Sequence, residues 1–113
     1  MIKKVNIPIF LGHLLLIQGV PFDEITKKYD LPEIGPCEAM YGAFLDDSGY
    51  SFYLIAVKDE ASANAIVHEA AHVTHVMMLH RGMKPDLNND EWENYLLAWI
   101  VKQCYKYFNV TNK

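Results

Sequence analysis

The sequence predicts an α+β fold for residues 1–113, and three observations carry that expectation. Two runs rich in aromatic and β-branched residues flank the turn-forming "DDSG" in "CEAMYGAFLDDSGYSFYLIAV", which is the pattern of an antiparallel hairpin. Residues 62–81 contain neither proline nor glycine until Gly82, as a helix with a glycine stop requires. From about Asn88 or Asn89 to Phe108, Trp92, Tyr95, Leu96, Trp99, Ile100, Gln103 and Cys104 recur at helical spacing. A small antiparallel or mixed sheet packed on these two helices follows as a single domain.

Taken in order, residues 2–10 and 13–18 are apolar segments parted by Gly12, read as two strands or one bent strand, with Pro8 best placed at a sheet edge. In "VPFDEITKKYDLP", Pro21 suits a first helical position. Asp23 and Glu24 favour the first turn of a short helix, and Lys27 and Lys28 its last. "LPEIGP" is a loop, and the hairpin over 37–57 follows, giving a sheet of three or four strands. Asp59 or Ser62 can cap the next helix. "GMKPDLNND" connects it to the last one.

Composition narrows the function classes. The chain has 113 residues, 51% hydrophobic and 21% charged, enough for one core and without the bias of a disordered chain. A net charge of −4, with ten Lys and Arg forming no dense cluster, argues against nucleic acid as a partner. Cys37 and Cys104 form no CxxC pair and read as buried free thiols of a reducing cytoplasm. The opening "MIKKVNIPIFLGHLLLIQGV" imitates a signal peptide. Asn6, Pro8, His13 and Gln18 interrupt it and no small-x-small site ends it, so folded structure without a membrane span is expected.

One stretch carries chemistry. In "AIVHEAAHVTH", His68, Glu69 and His72 spell H-E-x-x-H in the middle of the predicted helix. Positions four apart lie about 40° apart around a helix axis, so both imidazoles leave one face and can hold one cation. Glu69 is then placed to reach a water in an open coordination position, as a general base. A catalytic zinc usually has three protein ligands, and the last helix offers Glu91 and Glu93 if the chain turns back through Gly82 and Pro85. Glu91 is the expected third ligand, because it shares a stripe with Tyr95 and Trp99 from which Glu93 points away.

These residues resemble a family. His68, Glu69, His72 and Glu91 match the gluzincin form of zinc metallopeptidase, in which a glutamate on a following helix completes H-E-x-x-H. Asn89-Asp90-Glu91 with Asn94 resembles its N-E-x-x-[SD] second motif, with Asp90 inserted. More narrowly, "NDEWENYLLAWI" is similar to the "NDE..AYL.GWI" segment of small phage-encoded metallopeptidase-like proteins, departing at Asn94 and Ala98. The likeness covers about residues 62–101. It implies a zincin-like fold, Zn2+ as cofactor, peptide or protein as substrate, and a strand beside the cleft that holds an extended peptide, for which 50–58 is the candidate.

Structural readings stand beside the chemical ones. With Asn88 as N-cap, Glu91 is the third residue of a capping box and needs no metal. The histidines can be a pair on a half-buried face, satisfied by backbone or water. His75 continues their face and reads as the cleft rim, His13 and His80 as surface or core residues, and Asp46 and Asp47 as turn residues. The aromatics of the last helix read as core, although Tyr95 is also suited to stabilising an oxyanion. A small domain has little room for a second lobe, so a catalytically inactive zincin-like binding module, phage-encoded and directed at a host protein, is the competing expectation.

Overall fold

The computed structural model describes residues 1–8, 12–84, 86–88 and 90–111. Its architecture is α+β, as expected. Strands β1 (Ile2–Asn6), β2 (His13–Gln18), β3 (Ala39–Leu45) and β4 (Ser51–Val57) form a sheet in the order β1-β2-β4-β3. The hairpin is present: β3 and β4 pair antiparallel with Leu45 opposite Ser51. Asp46 sets its turn, since Oδ1 accepts from the Ser48 and Tyr50 amides at 2.9 Å each. β1 pairs antiparallel with β2, and β2 runs parallel to β4, so the sheet is mixed. The first strand ends at Asn6 and Pro8 lies beyond it; residues 9–10, at the end of the expected first segment, fall outside the described residues.

The near-continuous apolar runs "LLLI" and "YLIAV" reflect a sheet whose two inner strands are covered on both faces. On one face Leu14, Leu16, Tyr53, Ile55 and Val57 meet helix α2 (Ala63–His80) through Ile66, Ala70, Val73 and Met77. Helix α3 (Glu91–Tyr107) adds Leu96, Ile100 and Cys104 to the same core. On the other face Leu15, Ile17, Leu54 and Ala56 lie under α1 (Phe22–Lys28), through Ile25.

Helix ends follow local chemistry. Ser62, not Asp59, caps α2, its Oγ accepting from the Ala65 amide at 3.1 Å. The C-terminus closes with the Gly82 amide on the Leu79 carbonyl and the Met83 amide on that of Met78. That paired pattern needs a left-handed residue, and Gly82 has φ +69°. For α3 the expected cap does not form: Asp90 is the cap residue, and Asn88 instead donates its amide to Asp86 Oδ1 in the preceding turn. Glu91 is thus the first helical residue, out of capping-box register. Pro85 and Asn89, both parts of the expected turn and motif, lie outside the described residues.

The orientation of α3 corrects the aromatic-core expectation in part: Trp99 packs against the core, whereas Trp92, Tyr95 and Tyr105 are exposed. Its buried residues are Leu96, Ile100 and Cys104, whereas Trp92 is 41% and Tyr95 67% exposed. Aromatic rings with polar tips tolerate that boundary, and the aliphatic set at i, i+4, i+8 takes the core. Among the described residues no helix is long and apolar enough to cross a membrane.

Gln18, which breaks the apolar run in the sequence, is a latch. Buried at the end of β2, its Nε2 donates to the carbonyls of Lys58, Asp59 and Asn109, and its Oε1 accepts from the Asn109 amide at 2.8 Å. It ties the sheet to short strands β5 (Ala61–Ser62) and β6 (Val110–Thr111), and thereby fixes the approach to α2. Gln18→Leu is expected to cost about 2 kcal/mol, since the Asn109 amide and the Lys58 carbonyl lose this partner, while the Asn109 and Asp59 carbonyls keep the Ala61 amide and Asn109 Nδ2. Urea unfolding should show a lower midpoint with an unchanged slope.

Candidate metal centre

The 3.6-residue period of α2 places its donors. Ile66, Ala70, Val73 and Met77 take the core face, which leaves His68 and His72 open to solvent. Glu69 sits between the two sets, flanked on the helix by Ile66 and Val73, and its position is therefore buried, with 6% exposure. His68 Nε2 and His72 Nε2 stand 3.2 Å apart. Two nitrogens each about 2.0–2.1 Å from one tetrahedral zinc stand about 3.3 Å apart, so the pair fits a shared ion. Without an ion the same contact serves neutral rings as an N–H···N bond. Tyr41 of β3 stacks on His72 with centroids 4.5 Å apart and planes 12° from parallel, which fixes that ring's orientation.

Ligand atoms of His68, Glu69 and His72 all lie within 4.8 Å of one another. Glu69 Oε2 is buried and has no hydrogen-bond partner among the described residues. Burial raises the carboxyl above the usual glutamate range, and the charges of His68 and His72 oppose the shift. A buried oxygen without a partner costs on the order of 1–3 kcal/mol, so it marks either strain or a missing cation or water. The carboxylate lines two cavities under the start of β3, of about 280 and 290 Å³, shared with Cys37 and Ala39.

Glu91 does not belong to this group. It opens α3 on its exposed side and lines a cavity of about 610 Å³ at the α2–α3 turn with Met78, Met83, Trp92 and Tyr95. Glu93 is the one that faces α2: its Oε1 is 2.8 Å from His75 Nε2, one helical turn beyond His72. The signal for Glu93 was present in the sequence, because positions 93, 97, 100 and 104 form an i, i+4, i+7, i+11 series that ends in core residues. His75 is held at the rim, as expected.

The remaining candidates have structural roles. His80 Nδ1 meets the buried Tyr53 hydroxyl at 2.8 Å, and His13 Nδ1 meets Asn6 Oδ1 at 2.9 Å. Asp46 is a turn residue. Both cysteines are free, but only Cys104 is buried; Cys37 is half-exposed. The strand expected to hold a peptide is corrected: β4, within 50–58, is hydrogen-bonded on both sides, to β2 and to β3. Such a strand has no free edge. The end strand on the α2 side is β3, which carries Tyr41.

Comparison with models of protein families finds no match. Searches of curated proteins and of solved structures find none either.

Proposed function

We propose that this protein is a zinc-dependent metallopeptidase of the H-E-x-x-H kind, with His68 and His72 as metal ligands and Glu69 as general base. The observation that carries the reading is the convergence of two Nε2 atoms 3.2 Å apart beside a buried carboxylate oxygen that lacks a partner. A bound zinc supplies Lewis-acid polarisation of a carbonyl and an acidified water. Glu69 takes a proton from the attacking water as its oxygen bonds to the peptide carbon, then passes that proton to the amine as the C–N bond breaks. His72 is held in place by Tyr41, so the donor pair is organised before an ion arrives.

The sheet supports a peptide as substrate. β3 is an end strand beside α2, and an extended peptide added to its free edge gains main-chain hydrogen bonds that tolerate many sequences. The gluzincin pattern assigns Glu91 as third ligand, and Glu91 stands outside the donor group. Only the histidine pair is therefore assigned to the metal. Phage origin and a cytoplasmic site of action belong to the same proposal and rest on the "NDEWENYLLAWI" resemblance and on the free thiols.

The test is cleavage of a mixed library of extended peptides by zinc-loaded protein, with products read by mass. Cleavage should stop on chelation and return when zinc is restored. A protein that holds one zinc per chain yet cleaves nothing would instead be the inactive module that binds a host protein.

A further inference from the structure

The two cavities that Glu69 lines have their outer wall in the irregular segment 31–38, between α1 and β3. Cys37 is common to both. One cavity joins it to Ala65, His68 and Glu69, the other to Glu69 and Tyr41. Glu69, which lines both, is 6% exposed and carries an oxygen with no partner among the described residues. Across one cavity from His68, one of a histidine pair spaced for one ion, the wall thus carries a thiol.

We propose that Cys37 is the third protein ligand of the metal held by His68 and His72. The proposal rests on the metal reading above and completes its ligand set. Two histidines alone fall short of the three protein ligands usual at an active zinc, and Glu91 lies elsewhere. Cysteine, as thiolate, is a preferred zinc donor, and its soft sulfur narrows a site that two histidines and a carboxylate leave open to several metals. Glu38 is the competing donor on this wall, but it is exposed and lines only one of the cavities. Cys37 stands outside the group of donor atoms within 4.8 Å, so ligation draws the 34–38 segment onto α2. Room exists for that movement in the two cavities of about 280 and 290 Å³ between the segment and Glu69. Closure would leave one position for water or substrate, with Glu69 beside it.

Cobalt(II) is the probe, added stoichiometrically to metal-free protein in a thiol-free reductant. Wild type is expected to show near-ultraviolet thiolate-to-cobalt charge transfer together with the visible bands of a four-coordinate ion. In Cys37→Ser the charge-transfer band should vanish and affinity should fall roughly 100-fold, at or beyond the 10–100-fold effect of losing an outer partner. Cys104 is an internal control, being fully buried in the core with its thiol pushed up to about 12. A second readout needs no variant: zinc should slow alkylation of Cys37 about tenfold or more, because the thiolate is the nucleophile. Cobalt bound without the charge-transfer band, or alkylation indifferent to zinc, overturns the Cys37 assignment while leaving the histidine pair intact. Failure to bind cobalt at all overturns both.

Discussion

Glu69→Gln is expected to keep zinc at the wild-type level and to lower peptide turnover about 100- to 10,000-fold, the usual contribution of a positioned general base. The amide has nearly the same shape as the carboxylate and accepts no proton, so the ligands are untouched and only the transfer is lost. The same substitution should stabilise the metal-free protein near neutral pH. Burial raises the Glu69 pKa above its ordinary value, so the folded state prefers the neutral acid. The stability of that neutral form is fully present below the ordinary glutamate range and is lost as pH rises through the raised value. Glutamine never ionises, so its advantage should be absent below the ordinary glutamate range and appear, as a higher melting temperature, once the carboxyl is charged. Loss of turnover together with a pH-dependent gain in stability separates a functional carboxylate from a packing residue. Retained turnover would end the general-base assignment.

Much of this architecture is legible in local sequence because it rests on local chemistry. The α2 limits fall where Ser62 can cap and Gly82 can turn left-handed, and the hairpin falls where Asp46 and Gly49 supply a turn. His68 and His72 converge because helical periodicity alone fixes their relation. What the sequence hid depends on relations between elements. Which strand keeps a free edge depends on β2 pairing parallel with β4, a contact between residues some 40 positions apart that no local pattern announces. The phase of α3 was misread from its most conspicuous residues. The stripe through Tyr95 and Trp99 points to Glu91, whereas the buried series through Leu96, Ile100 and Cys104 turns Glu93 toward α2 instead. Gln18 looked like an interruption and is a latch, since its four partners come from segments 40 and 91 residues away. Cys37 carries no local signal, because only the path of the chain before β3 brings it to line a cavity with His68 and Glu69.

His72→Ala should reduce metal content from about one zinc per chain to nearly none, measured by elemental analysis of untagged protein. The geometry makes this variant more decisive than any other on α2. His72 supplies one of the two Nε2 atoms and is also the ring on which Tyr41 stacks, so its loss removes both a donor and the contact that orients it. Thermal melts give an independent readout. Zinc at a hundred times its dissociation constant stabilises a protein that binds it by about 2.7 kcal/mol, roughly 10 °C for a chain of this length. Wild type should show that rise and His72→Ala should not. His75→Ala separates the pair from histidines in general: it lies on the same helix face, three residues on, but meets Glu93 rather than the pair. It should keep its zinc and the full zinc-dependent rise, with a loss of about 0.5 kcal/mol for an exposed hydrogen bond. Equal loss of metal in both variants would mean that binding is diffuse along the helix face. An unchanged zinc content in His72→Ala would return "AIVHEAAHVTH" to a core helix whose histidines bond to each other, and the functional search would move to a binding partner at the β3 edge.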